Sequence, residues 1–588
     1  MRAEFALFAA ALALSLVALL VASRPSDKAW RVPTAVLFAL LATIGPLLLY
    51  QFLNPALAAG RALWEWSAAG GPTIQASYRL DGIGAVGVAA CSAYVSAGLL
   101  AAIRSASAPR PLPALVLGVG FVSLAVVVTN DVVAATVALA VLAALTVFVT
   151  LLVAPAPSAI RLAAYFAVGL QGFVVAALLI ARQGGPSLAL AAISPNAISP
   201  GAVVAATVGA ALFAGLYPFV PWRYQRARES TEREPLRGVL AMPAGIAASL
   251  LLMRILGATS IDLSTLGLPA IDPSPRFVLT IAVLVWAAVR ARLRGRVSAR
   301  LLIATTLAIA AFAAYPWLHW SHLVVAGALL TVLYAAAVSL ALPEEWEVAR
   351  HDVTLATLWV AVAAGTPLSL AAGLFVLVGA GFAAIAESVW LAPHRAYIAA
   401  VATATWTVTG IIAVGIGALG APDRATAIGV IVVIALVLVL ELLHAGRRLA
   451  LGDAPIDLEI AAAAAALIGT TLLAIVTDAA IPDAVAVLGR PLEGLDPVIT
   501  LTTVVVATIL VVAAGAVRPL VPDLDVAVSA LQRFVWAADP VPTGTGAFRA
   551  LERAVTLASS GFTLFEERAG VWLATVFIVA LLVWSTRQ

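Results

Sequence analysis

Residues 132–154, VVAATVALAVLAALTVFVTLLVA, run without a single charged side chain. About 20 apolar residues in a helix cover the roughly 30 Å hydrocarbon core of a bilayer, so this stretch predicts a transmembrane helix. It is one of many. Comparable runs fall at 5–23, 32–53, 80–103, 112–128, 161–181, 201–220, 236–256, 277–291, 300–318, 322–342, 354–368, 371–391, 395–419, 426–446, 458–480, 497–520 and 571–585. That makes about eighteen spans and an all-α polytopic membrane protein. Composition agrees, with charged residues at 11% and a mean hydropathy of +1.07. A water-soluble chain of 588 residues would carry more surface charge than this.

The arginines test the count. With the loop holding Arg24, Lys28 and Arg31 inside, alternate loops receive Arg104 and Arg110, Arg161, and then Arg223 to Arg237. Later inside loops take Arg290 to Arg300, Arg350, Arg395, Arg447 and Arg448, and Arg533 to Arg568. About 25 of the 34 basic residues lie inside on this reading, as the positive-inside rule asks. Merging 354–391 into one broken helix would place Arg447 and Arg448 outside, so two spans are kept. The protein is then expected in the cytoplasmic membrane with both termini outside and an uncleaved first helix. Net charge is +4, carried in loops, and implies no nucleic-acid partner.

The chain divides into N-terminal helices and an outer loop (1–79), a helical core (80–391), additional spans (392–521), a surface segment (522–570) and a final helix (571–588). Trp64 and Trp66 in the outer loop suit a membrane interface. Residues 522–570 read as short amphipathic helices lying on the inner surface. The single cysteine, Cys91, permits neither an internal disulfide nor a cysteine metal cluster. No phosphate-binding glycine loop, CxxC or HExxH is present, so neither catalytic residues nor a bound cofactor or metal is expected.

Several motifs, taken in order, carry a resemblance. Tyr78-Arg79-Leu80-Asp81-Gly82-Ile83-Gly84 opens the third span. Tyr217-Pro218-Phe219-Val220-Pro221-Trp222 closes the seventh, followed by Glu234-Pro235-Leu236. Arg296 to Ala304 leads from a basic loop into a helix, His322-Leu323 starts a span, and Gly365-Thr366-Pro367 separates two others. Over residues 30–390 the chain resembles the antiporter-like subunits of respiratory complex I, membrane-bound hydrogenases and multisubunit cation/proton antiporters. The resemblance implies an antiporter-like core with some broken helices. It also implies a non-catalytic subunit with other membrane subunits as partners, surrounded by lipid.

In the resembled subunits a Glu and several lysines relay protons along the membrane. A desolvated lysine gives up its proton more readily, and a nearby carboxylate reverses this, so moving one charge switches the other. Matched motif to motif, the Glu position falls at Ala140 and the lysine positions at Phe213, Leu330 and Phe375. Val220 and Ala326 stand where the family has motif histidines. The only lysine of the chain is Lys28, in a polar loop. Lysine-based relay is therefore not expected of it.

Five other residues are candidates for an ion path. Glu387 is the best-placed acid within a span, although it lies toward the inner end. His319 and His322 flank Trp320 at an outer turn, where a solvated interfacial pair is the plainer reading. Arg254 lies near the outer end of its span, where a snorkelling side chain is the plainer reading. Asp81, after Arg79, reads as an entrance to the third helix. Asp131 reads as a helix N-cap, and Glu441 with His444 as an interfacial pair beside Arg447 and Arg448.

The leading function is a divergent antiporter-like membrane subunit of a larger ion-translocating or respiratory assembly, mainly structural or weakly ion-conducting. A stand-alone secondary transporter is the alternative. A glycosyltransferase on lipid-linked sugars ranks last, because the outer loop 54–79 offers only Glu65 as an acid.

Overall fold

The computed structural model describes residues 61–67, 73–104, 112–153, 156–183, 188–193, 197–217, 234–258, 319–341, 346–389, 394–395, 397–449, 452–453, 456–490, 492 and 497–517. They belong to one compact unit. The predicted spans at 5–23, 32–53, 277–291, 300–318 and 571–585, and the surface segment 522–570, lie outside the described residues.

A hairpin comes first. Strands β1 (Arg61–Ser67) and β2 (Thr73–Tyr78) pair antiparallel, with a register shift between Ala62 and Trp64. The sequence reading had only a loop here. Trp64 and Trp66, two residues apart on one strand, are both well exposed.

The helices then follow in order: α1 (Gly82–Arg104), α2 (Leu112–Val128), α3 (Val132–Val153), α4 (Ala156–Arg182), α5 (Pro200–Ala214) and α6 (Glu234–Gly257). After the undescribed stretch come α7 (Trp320–Ala341), α8 (Trp346–Ala364), α9 (Pro367–Val389), α10 (Tyr397–Ala418) and α11 (Arg424–Leu449). The last are α12 (Ile456–Ala479), the short α13 (Ile481–Val487) and α14 (Pro497–Val517). Two-residue strands β3 (His394–Arg395) and β4 (Gly452–Asp453) pair in parallel between α9 and α12. Eight helices among the described residues are long and apolar enough to cross a membrane. Every one of the thirteen predicted spans that falls on described residues coincides with a helix.

The bundle wraps around α1, whose membrane window is completely buried, whereas α4 buries only 33% of its window. The peripheral helices turn large apolar side chains outward, such as Phe148, Leu178 and Ile428. In lipid such exposure carries no penalty. At one end, here the hairpin end, the chain is tied by backbone bonds: Arg79 N donates to Val128 O at 2.7 Å, and Asn130 N donates to Ser77 O at 2.9 Å. Asp131 is fully buried there. Its carboxylate accepts from Val133 N and Ala134 N, capping α3, and from Gln75 N of the hairpin. The opposite end is called the arginine end, after Arg447 and Arg448.

Two interruptions shape the interior. Gly215, at φ 68, ends α5 in the left-handed region that glycine adopts without steric cost. The predicted span 201–220 therefore stops early. At 1.5 Å per residue α5 is about 22 Å long, short of the hydrocarbon thickness. Just beyond it, Tyr217 N donates to Thr331 Oγ1, halfway along α7, so α5 ends inside the bundle. The second interruption is the turn at Gly365 (φ 65), where α8 folds back onto α9. Ser369 Oγ donates to Ala361 O across it, and Thr366 Oγ1 donates to Gly417 O of α10. The region 354–391 is two helices, as the arginine distribution required.

Candidate functional site

Among the described residues, polar side chains gather in three places that concern the predicted site residues. The first is at the hairpin end. Asp81, just before α1, accepts from Gly84 N at 2.8 Å and thereby caps that helix. Arg254, in the last turn of α6, brings Nη2 to 2.6 Å from Asp81 Oδ1, with both side chains about 5–6% exposed. Arg254 Nη1 donates to Thr129 O and Nη2 also faces Arg79 O. Two of the predicted ion-path residues thus meet each other. Arg254 does not snorkel: it staples α6 to the entrances of α1 and α3.

The second group, also at the hairpin end, joins α7 to the turn before α11. His322 Nδ1 accepts from His319 N at 3.2 Å, which places the ring proton of neutral His322 on Nε2. That Nε2 lies 2.8 Å from Asp423 Oδ2. This is the return half of a capping box, with imidazole in the usual place of Glu or Gln. Hydrogen bonds from Thr426, above all its hydroxyl, and from His322 and Ala425 hold the Asp423 carboxyl well below the usual carboxylate range. The His319 and His322 rings stand 5.2 Å apart, and His319 Nδ1 is buried without a hydrogen-bond partner.

The lowered pKa of Asp423 has a sign that can be tested. A carboxyl with a lowered folded pKa adds stability above the unfolded value of about 4, and this is lost as pH falls toward the folded value. Asp423→Asn is therefore expected to flatten the acid side of a thermal-stability profile of the detergent-solubilised chain. A profile superimposable on that of the parent from neutral pH down to acid would contradict this.

The third group lies deeper and was not read from the sequence as a site. Arg350 Nε is 3.2 Å from Glu441 Oε1 of α11, with side-chain exposures of 6% and 5%. Its Nη2 donates to Thr407 Oγ1 of α10 at 3.1 Å. His444 is buried one turn beyond Glu441, and Arg447 Nη1 donates to Ser339 O at the end of α7. The sequence reading placed Arg350 in an inside loop and Glu441 with His444 at the interface. Instead, α8 begins two turns earlier than predicted, and Arg350, Thr354 and Thr357 form one buried stripe. That spacing of four and three residues was the available signal. His351 is buried as well, its ring edge-on to Tyr94 of α1 at 5.4 Å.

The positions matched to the family's relay are apolar and differ in setting. Phe213 is fully buried near the end of α5, stacked on Phe166 at 4.5 Å and tilted against Phe173. Phe375 is half-buried in α9 and Ala140 half-buried in α3. Leu330 faces outward at 46% exposure, while its neighbour Thr331 is buried. Glu387 lies in the last turn of α9; its side chain is outside the described residues. Along α11 the buried face between Thr426 and Glu441 consists of Val430, Val433, Ile434, Val437 and Leu440. The two polar groups that α11 carries are thus separated by about 22 Å of apolar helix.

No protein-family model matches the sequence, and no curated protein matches it. Solved structures do. A chain of the Mrp complex from Dietzia sp. DQ12-45-1b aligns at TM-score 0.54 and 16% identity, over 97% of this chain and 65% of that one. This chain therefore spans about two thirds of that relative's length. A chain of respiratory complex I from Thermus thermophilus with bound NADH aligns at TM-score 0.52 and 15% identity, covering 82% and 98% respectively. A chain of the archaeal membrane-bound sulfane sulfur reductase aligns at TM-score 0.51 and 13% identity, covering 82% and 99%. At these identities the likeness is one of fold. The chain is a multi-pass membrane protein with the antiporter-like fold that its motifs predicted.

Proposed function

We propose that this chain is an antiporter-like membrane subunit of a larger ion-translocating or respiratory assembly, in which its role is mainly structural or weakly ion-conducting. The observation that carries the reading is the contrast between fold and filling. The architecture follows membrane chains of ion-translocating and respiratory complexes over most of its length. Yet the matched relay position in the half-helix α5 holds an aromatic stack, Phe213 on Phe166, with no titratable group. An apolar stack neither binds nor passes a proton. The redox chemistry of any parent assembly would reside in other subunits, and this chain would bind no cofactor. The positive-inside rule places the arginine end toward the cytoplasm.

Purification from native membranes in mild detergent, with mass spectrometry of co-migrating proteins, tests the reading. Co-migration with iron–sulfur, quinone-reactive or other antiporter-like subunits is the expected result. A chain that runs alone or as a homo-oligomer would overturn it and favour a stand-alone transporter.

A further inference from the structure

We propose that the short helix α13 is a hinged cover at the hairpin end of the bundle, and that its opening admits water to the buried Asp81–Arg254 pair. This cover goes beyond the subunit reading above and operates with or without partner chains.

The seating of α13 comes first. It lies against the start of α1 and the end of α6, and a glycine makes room at each place. A methyl group on Gly82 would overlap Ala484 N and the Cβ of Asp483. One on Gly257 would come within 3.1 Å of Val487 O and of a Leu488 methyl. Main chain thus rests almost directly on main chain at both ends of the short helix. The ion pair belongs to the same two seats: Asp81 immediately precedes Gly82, and Arg254 stands three residues before Gly257. Inward, α13 turns Ile481, Ala484 and Val485, whereas Asp483 and Ala486 are exposed.

Several features make α13 the part that moves. Its buried side chains larger than alanine are only Ile481 and Val485, so little apolar contact holds it, the mark of an element that opens locally. Ala480 gives its N-terminus no side-chain cap. Joints flank it on both sides. The chain turns at Ala480 between α12 and α13, and Gly489 ends the helix at φ 72, with open space where a Cβ would stand. The closed position also has a cost. Arg254 Nε–H is buried with no hydrogen-bond partner, and an unmade buried donor favours any state in which water reaches it. Arg254 Nη1 and Nη2 are already bonded to Thr129 O and Asp81 Oδ1, so opening hydrates the pair without first breaking it.

The test is hydrogen–deuterium exchange of the full chain in nanodiscs, read by mass spectrometry. The amides of Ala484 to Arg490 should exchange together with those of Gly84 and Ala85, which bond to Asp81. Both sets should exchange at least tenfold faster than the middles of α9 and α12. Gly82→Ala, whose methyl group has no room beneath α13, should speed both sets at least tenfold again. Cys91, fully buried about 13 Å further along α1, should stay unreactive toward a small maleimide throughout. Exchange in α13 that leaves Gly84 and Ala85 protected, protection of α13 equal to that of α12, or labelling of Cys91 at the same rate would overturn the proposal. If Gly82→Ala does not fold, Ile481→Ala decides, because it loosens α13 without altering α1. It should speed both sets, and acceleration of α13 alone would count against the cover.

Discussion

Replacing Arg254 by Met is expected to cost the folded chain about 3–5 kcal/mol, the range seen when one partner of a buried ion pair is removed. The reason is what remains behind. Asp81 would keep its cap on α1 and a longer ion pair to the partly exposed Arg79, whose Nε lies 3.8 Å from Oδ2, but would lose the buried guanidinium 2.6 Å from Oδ1. Two backbone carbonyls, Thr129 O and Arg79 O, would lose a donor as well. Thermal or denaturant unfolding in detergent measures this directly. Adding Asp81→Asn to Arg254→Met should recover part of the loss, since the buried charge, left with only the longer pair to Arg79, is then gone. A single variant within about 1 kcal/mol of the parent would place the pair among solvated surface bridges instead.

Phe213→Ala should be of similar size, about 3–5 kcal/mol, as for other fully buried phenylalanines cut to alanine. Phe213 fills the space between Phe166 and Phe173 near the end of α5, and the helices around it have no means of closing the void without moving the half-helix. Phe213→Leu, which keeps most of the volume, should cost clearly less. If alanine and leucine variants unfold at the same denaturant concentration, the stack does not hold α5 in place. The result bears on function too. A large alanine loss with leucine rescue would establish as a packing position one that the resembled subunits give to a lysine.

The fold was largely legible because bilayer physics writes it in long uncharged runs. The run predicted at 112–128 is α2 to the residue, since polar loops flank it closely. Errors arose where a side chain pairs across the bundle. Arg350 read as a loop residue because a lone charge in a membrane is costly, and its partner Glu441 lies 91 positions away. Nothing local announces that pairing. The same holds for Asp81 with Arg254, 173 positions apart, both singled out yet not joined. His319 and His322 were recognised as neighbours, but Asp423 was not seen beside them. The end of α5 was missed for another reason: apolar composition continues to Val220, whereas Gly215 turns the backbone. The hairpin left one local sign, the alternation Trp64-Glu65-Trp66, which a period of two would explain.

The apolar face of α11 between Thr426 and Glu441 has an electrical consequence. A membrane potential falls mainly across whatever part of the bilayer excludes water, and a full crossing is worth about 2.3 kcal/mol per unit charge at 100 mV. Where the stretch from Val430 to Leu440 is the dry part, the voltage drop lies there, between the two polar groups. Asp423 and His322 then sit near the potential of one compartment. Whatever they bind is set by the chemistry of that compartment and hardly by the voltage across the membrane.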